Sequence, residues 1–430
     1  MLKSIFVQIM NRKRSNGWIL AELLLVFILV WYVADWFFVL GCNYGIPNCR
    51  NIEHTWKITL GKYPEDHPKY DASTASGQAA GAGMERILRE LNGHPDVEAV
   101  AVSFFGSDPE VDSYSGGIFY SEGDTVNSVR CQDLYIDPKE DFFRVFGYTA
   151  DGGTRAVSTR DFDWSAPRSV VIGRLMADRL FPDGQAVGKR LTRKPGDMSD
   201  PCTVAGVVDD IKQYDYERPQ YALYNAYRLD STAPDAAISI RSRASVPDRL
   251  FEESFKKEMT GRLQTGNFYL KSMTPYARIA SDTWEGLGTG NAVRERAALM
   301  TFFLLNILLC VTGTFWYRIH IRREEIGIRK TMGASSRSIR SHLLTEGMLL
   351  LTVAMLPAMF IEFQFVLAGL IETFGKTDTH AVYLPDRTGL RFLITNAVTW
   401  AIMAAVIAVA ISLPARRAAA LPPAEALRYE

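Results

Sequence analysis

The chain has no excess of charge of either sign: 48 lysines and arginines balance 48 aspartates and glutamates over 430 residues. A nucleic-acid binder normally carries a basic surplus, so nucleic acid is not an expected partner. No G-x-x-x-x-G-K-[ST] loop is present to cradle phosphates. The nearest stretch, GQAVGKR at Gly184 to Arg190, is one residue short between its glycines and has Arg190 in place of the magnesium-binding hydroxyl. Neither H-E-x-x-H nor G-x-S-x-G occurs. Histidines are few, and His54, His67 and His94 have no ligand-like spacing with the five cysteines, which argues against a metal site. The acidic pairs Asp209–Asp210 and Glu252–Glu253 read as surface pairs, and no tandem repeat or low-complexity tract occurs. No catalytic residue, metal or cofactor is expected in this chain.

What the chain does have is bunched hydrophobicity. Apolar residues make up an ordinary 47%, but four long, nearly uncharged stretches hold many of them, at 18–40, 297–317, 343–370 and 392–413. About 20 mainly apolar residues cross a bilayer as a helix. Trp18, Trp31, Trp36, Trp316 and Tyr317 lie toward segment ends, as aromatic side chains do at membrane interfaces. The first stretch is longer than a signal-peptide core and no small-residue cleavage site follows it, so it reads as an uncleaved anchor.

Orientation follows from the basic residues near the span ends. Lys3, Arg12, Lys13 and Arg14 precede span one; Arg318, Arg322, Arg323, Arg329, Lys330, Arg337 and Arg340 separate spans two and three; Arg416, Arg417 and Arg428 follow span four. The loop at 371–391 has only Lys376, Arg387 and Arg391. Both termini and the 318–342 loop are therefore expected in the cytoplasm, and the region 41–296 and the short 371–391 loop outside, in a multi-pass protein of the cell inner membrane. Leu2, Ile5, Phe6 and Ile9 recur at helical spacing beside basic residues, so 1–17 reads as an amphipathic helix on the inner membrane surface. Glu22, Asp35, Glu346 and Glu362 lie in or near the spans. They read as groups that reach an interface or a partner helix rather than as an ion path.

The region 41–296 alternates strand-like and helix-like segments. Strands are expected at 55–63, 97–105, 169–172, 202–208, 236–242 and 267–272, and helices at 84–92, 174–181 and 248–263. The fold expected is a four-helix membrane protein with a large α+β extracytoplasmic domain, in two lobes, between the first and second helices. From Thr274 a helical stalk leads toward span two, and Gly286, Gly288 and Gly290 loosen or break it. Cys42, Cys49, Cys131 and Cys202 lie in the outer region, where disulfides persist. The short separation of Cys42 and Cys49 points to a bridge there, with free thiols as the alternative.

The loop from Arg322 to Ile339 reads RREEIGIRKTMGASSRSI. It resembles the MacB/FtsX-like permease family of ABC transporters, whose members carry R-x-x-E-I-G-I-R-[RK]-x-x-G-A-S after the second span. The matches are Arg322, Glu325, Ile326, Gly327, Ile328, Arg329, Lys330, Gly333, Ala334 and Ser335. The tail from Pro414 to Glu430, 414–430, resembles the family's closing sequence, though Ala420 and Pro422 stand where a basic and an acidic residue are frequent. VVIGRLMADRLFPDGQAVGKRL, at Val170 to Leu191, is similar to its periplasmic core.

The resemblance implies a permease that couples ATP hydrolysis by a separate cytoplasmic ABC ATPase, which would hold the ATP and magnesium, to movement of the outer domain. It implies pairing with a second permease copy or a paralogue, contact with membrane lipid, and a periplasmic adaptor or effector. An FtsX-like signalling subunit, controlling a cell-wall hydrolase or sensing antimicrobial peptides, is the alternative. The short stretch before span one leads us to expect the ATPase on another polypeptide. The coupling residues implied are Glu325, Gly327, Arg329, Gly333, Ala334, Ser335, Arg337, Arg340, Arg416 and Arg417. Glu325 and Arg329, at i and i+4, can pair along a helix, and a short helix is expected from about Ser335 to Leu344. Arg337 and Arg340, at i and i+3, share a helical face that can meet acidic groups on a partner. Without the resemblance, the same basic residues serve equally well as topology determinants that bind anionic lipid.

Overall fold

A computed structural model describes residues 13–75, 77–111, 116–197, 199–228, 236–371 and 380–420. The amphipathic segment before Arg12 and the last ten residues of the tail lie outside the described residues. The chain divides into two compact units, one made of the long helices and one spanning 43–289 together with 375–381.

The helical unit is built on α1 (Lys13–Gly45), which precedes the second unit in sequence. Apolar residues run through it with almost no charge between Trp18 and Leu40, so no polar face competes with burial or lipid contact. The later long helices are numbered after those of the second unit. All four contribute to one apolar cluster, with Leu23, Phe27 and Val30 from α1 among its members. Each of the four is long and apolar enough to cross a membrane.

The second unit opens with β1 (Thr55–Lys62), α2 (Gly77–Asn92), β2 (Val97–Phe104), β3 (Gly116–Ser121), β4 (Ser128–Ile136) and the one-turn α3 (Phe142–Val145). It continues with β5 (Thr149–Ala150), β6 (Arg155–Ala156), β7 (Ser169–Gly173), α4 (Arg174–Leu180), β8 (Arg190–Thr192), β9 (Cys202–Val208) and β10 (Ala222–Ala226). β11 (Ala237–Ser242), α5 (Asp248–Arg262), β12 (Phe268–Pro275) and α6 (Tyr276–Gly286) complete it. Hydrogen-bonded neighbours run β10-β7-β9-β8-β3-β4-β2-β11-β1-β12, and β10 also pairs with β4 in parallel. The extra pairing closes β4, β10, β7, β9, β8 and β3 into a ring. Every strand of that ring feeds one apolar cluster, including Phe119, Val129, Ile172, Leu191, Val204 and Leu223. β2, β11, β1 and β12 form the open stretch, covered by α2 and α5 through Ile87, Leu91, Phe251, Phe255 and Met259.

Most expected elements lie within a few residues of the observed ones. α2 starts seven residues earlier, at Gly77, so the glycine-rich run 77–83 is the helix start itself. β3 and β4 were not legible, because GGIFYS and SVRCQDLYI show no clean alternation. The GQAVGKR stretch leads into β8 rather than a helix, and Lys189 pairs with Asp183 at 2.5 Å. It therefore lacks the helix N-terminus that a phosphate-binding loop presents.

α1 continues through Cys42 to Gly45, and Cys49 lies in the segment that follows it. The carbonyls at this helix end are held by a lysine. Lys212, almost fully buried, donates from Nζ to the carbonyls of Asn43 at 3.1 Å, Ile46 at 3.0 Å and Asp215 at 2.7 Å. A cation at a helix C-terminus meets carbonyls that have no partner within the helix.

The remaining helices are α7 (Thr289–Ile321), α8 (Arg323–Thr331), α9 (Ser336–Leu367) and α10 (Thr388–Ala420). Helical structure breaks between α6 and α7, where Gly288 adopts φ +76°. α9 and α10 pack closely at Gly347, where a Cβ would lie 2.3 Å from Ile411. Leu309 and Phe360 are 73% and 70% exposed within these apolar helices, an outward face that suits lipid.

Acidic residues in the spans mostly meet a second helix. Asp35 of α1 accepts from Arg391 Nε of α10 at 2.8 Å, both side chains buried. Glu22 accepts from the Cys310 thiol of α7 at 2.6 Å. Glu362 is fully buried, and among the described residues neither carboxyl oxygen has a hydrogen-bond partner of normal geometry.

Candidate functional site

The segment joining α7 to α9 is a short helix held between two caps. α8 ends in a Schellman turn: Ala334 N–H donates to the Arg329 carbonyl at 2.9 Å and Gly333 N–H to that of Lys330 at 3.0 Å. The turn needs a left-handed residue, and Gly333 supplies it with φ +92°. A Cβ there would meet nothing within 4 Å, so the glycine is set by backbone conformation and not by internal crowding. Two residues later the Ser335 hydroxyl accepts from Ser338 N–H at 3.2 Å and caps α9. The G-A-S triplet is thus a helix stop followed by a helix start.

Side chains divide sharply between brace and surface. Ile326 and Gly327 are buried on the inner face of α8. Glu325 and Arg329 pair at 2.6 Å along α8, both partly exposed. Arg337 and Arg340 project from the exposed first turns of α9. Ile328 and Met332 are 51% and 83% exposed, giving the turn an apolar tip.

Beneath the tip lies a buried charge cluster. Glu346 of α9 accepts from Arg318 at 2.8 Å and from Arg322 at 3.0 Å, one guanidinium on each carboxylate oxygen. Removing a partner from such a cluster strands a buried charge, so it fixes the geometry of the α7–α8–α9 corner. A cleft of about 80 Å³ opens beside it, with Phe315, Ile319 and Leu343 among its apolar lining residues.

The structure brings Glu325, Gly327, Arg329, Gly333, Ala334, Ser335, Arg337 and Arg340 into one corner. Arg416 and Arg417 are on the last turns of α10, where Arg417 lines a second cleft with Ile319, His320 and Arg323. Arg417 stacks over Trp316, its guanidinium carbon 4.6 Å from the ring centroid. The short helix expected from Ser335 to Leu344 is not separate. α9 runs unbroken from Ser336 to Leu367, because no helix-ending residue follows Ser335 until Pro357, and the helix passes through that proline as well. The short helix is α8 instead. Sequence reasoning set Glu346 against an interface or a partner helix but did not name its partners, reading Arg318 as a topology determinant and Arg322 as that and a motif residue. Their i, i+4 spacing, facing an acid ten residues into α9, was the available signal.

Comparisons with known proteins agree with this layout. The MacB-like periplasmic core domain matches residues 53–248, and the FtsX-like permease C-terminal domain matches 297–420. A probable export ATP-binding/permease protein of Pseudomonas fluorescens is 27% identical over 276 residues, covering 60% of this chain and 37% of that protein. The ABC transporter permease YvrN of Bacillus subtilis is 26% identical, covering 78% of this chain and 80% of its own length. The macrolide export ATP-binding/permease protein MacB 1 of Yersinia pestis is 25% identical, covering 68% and 42%. The chain thus spans about two fifths of the length of the export ATP-binding/permease relatives. With a MacB-like core domain followed by an FtsX-like domain, and four helices able to cross the membrane, the chain belongs to the MacB/FtsX-like family of ABC transporter permeases.

Proposed function

We propose that this chain is the permease subunit of an ABC complex, driven by a separate ATPase that docks on the α8–α9 turn. In this reading both termini and the turn face the cytoplasm, and the sheet-rich unit works outside the inner membrane as two lobes, the six-strand ring and the open stretch. ATP-driven closure of the ATPase pair pushes the turn, and the motion reaches the outer domain to export or extract a substrate. A second permease copy or a paralogue completes the assembly, and a periplasmic adaptor or effector receives the output.

The observation that carries this reading is the contrast between tip and brace. Met332, Ile328, Arg337 and Arg340 offer an exposed apolar and basic face, while Glu346 with Arg318 and Arg322 ties the same corner into the helices. A surface that receives force needs both features. Co-purification tests it: Met332→Asp should abolish capture of the ATPase while the permease stays folded. Capture at wild-type level by Met332→Asp and Arg337→Glu together would reject the docking site.

A further inference from the structure

We propose that the cleft beside Glu346 is a binding site for the headgroup of an anionic phospholipid taken from the surrounding bilayer. The inference goes beyond the coupling role. It uses that reading only in placing this end of the helices at a membrane interface.

Charge comes first. Three guanidiniums, of Arg318, Arg322 and Arg329, line the cleft against two carboxylates, of Glu325 and Glu346, with His342 also on the wall. The acids do not use up the donors. Arg322 is nearly buried, spends Nη1 on Glu346, and keeps a buried Nε with no hydrogen-bond partner. Buried polar groups in folded proteins nearly always find a partner, and a phosphate oxygen is a strong one for a guanidinium. The lining therefore carries one guanidinium more than its carboxylates neutralise, and one of its arginines has a donor to spare.

Shape and apolar lining decide between a soluble anion and a lipid. Phe315 and Ile319 of α7, Ile326 of α8, and Ile339 and Leu343 of α9 line it too, with Ala334 and Ser338. Free phosphate would gain nothing from these side chains. A phospholipid presents phosphate and acyl chain together, and the cleft has both arginine and isoleucine on its wall. The cleft holds about 80 Å³, several times the roughly 10–15 Å³ that one water needs, so only the phosphate of the headgroup enters it. Basic pockets between helices near the cytoplasmic surface are a known setting for acidic headgroups.

The test uses the full-length chain in zwitterionic detergent, titrated with phosphatidylglycerol, phosphatidylcholine or sn-glycerol 3-phosphate and read by native mass spectrometry. Phosphatidylglycerol should bind with a stoichiometry of one per chain and at least about tenfold more tightly than phosphatidylcholine, the scale of one charge-assisted contact. Arg322→Gln should remove that preference. Arg329→Gln, on a partly exposed side chain whose loss spares the fold, should reduce it, and thermal melting of each variant separates lost binding from lost folding. Equal affinity for the two lipids would overturn the proposal, as would an unchanged preference in folded Arg329→Gln. Binding of glycerol 3-phosphate as tight as that of the lipid would assign the site to a soluble anion. ATPase capture measured on the same samples keeps the readings apart: lost lipid preference with intact capture in wild type refutes only the lipid site, and the converse refutes only the docking site.

Discussion

Glu346 lies 2.8 Å from Arg318, and this buried pair joins the third long helix of the membrane unit to the second. The other carboxylate oxygen serves Arg322 at 3.0 Å. Glu346→Gln would leave two guanidiniums without their counter-charge. Breaking a buried pair by removing one partner costs about 3 kcal/mol or more. The variant should melt well below wild type in detergent, whereas Glu325→Gln, whose partner Arg329 is partly exposed, should melt within a degree or two of it. Equal melting of the two variants would show that the cluster does not brace the corner.

Gly333→Ala adds one methyl group in open space, so any effect comes from the left-handed backbone. That conformation costs a non-glycine residue roughly 1–2 kcal/mol. Protection of the Gly333 and Ala334 amides in hydrogen exchange should fall while the sheet-rich unit is unchanged. ATPase-coupled output should fall with it, and Gly333→Asn, which tolerates the left-handed region, should retain more than Gly333→Ala. Identical output from all three proteins would remove the turn from the mechanism.

Charge reversal at Arg337 should act over a longer range than loss of Met332. If Arg337 meets acidic groups on the ATPase, Arg337→Glu weakens capture most at low ionic strength and less at high salt, where screening shortens the interaction. A salt-independent defect would assign Arg337 to packing instead.

Membrane orientation is read by labelling. In a chain whose native cysteines have been replaced, Asp151→Cys should react with an impermeant maleimide in intact cells and Ser336→Cys only after lysis. Both positions lie in described, exposed segments, so silence cannot be attributed to burial. Labelling of Ser336→Cys in intact cells would invert the topology.

Asp210 carries a pH dependence. Burial, with Asp178 and Asp209 adding repulsion, pushes its carboxyl up to about 7, against the hydrogen bond from Leu175 N–H. The folded state then holds this proton to higher pH than the unfolded chain, whose carboxyl titrates near 4. This group's contribution is most favourable below about pH 4 and is lost as pH rises to about 7. Asp210→Asn keeps the acceptor for Leu175, so it should raise the melting temperature at pH 8 and change it little at pH 4. A melting difference that does not vary with pH would refute the assignment.

Lys212→Met tests the clamp on the carbonyls of Asn43, Ile46 and Asp215. Three carbonyls would lose a buried donor, at about 1–3 kcal/mol for each acceptor left unsatisfied. Faster hydrogen exchange at residues 43–48 is expected, with α2 and α5 unaffected. Unchanged exchange there would mean that water replaces the ammonium without cost.

The membrane helices are legible from composition alone, because a run of some twenty apolar residues has one low-energy environment, and that property is local. The 333–335 turn is local in the same way: a glycine makes the left-handed stop and a serine the next start. Glu325 and Arg329 were legible for the same reason, since i, i+4 neighbours on a helix meet whatever surrounds them. Packing between elements sets the rest: Glu346 holds both Arg318 and Arg322, Arg417 stacks on Trp316, and Lys212 reaches the carbonyls of Asn43 and Ile46. These partners lie 28, 24, 101, 169 and 166 residues apart in the chain. The closure of the six-strand ring through β10 and β4 belongs with them. Such contacts depend on which elements pack together, and neither periodicity nor spacing along the chain encodes that choice.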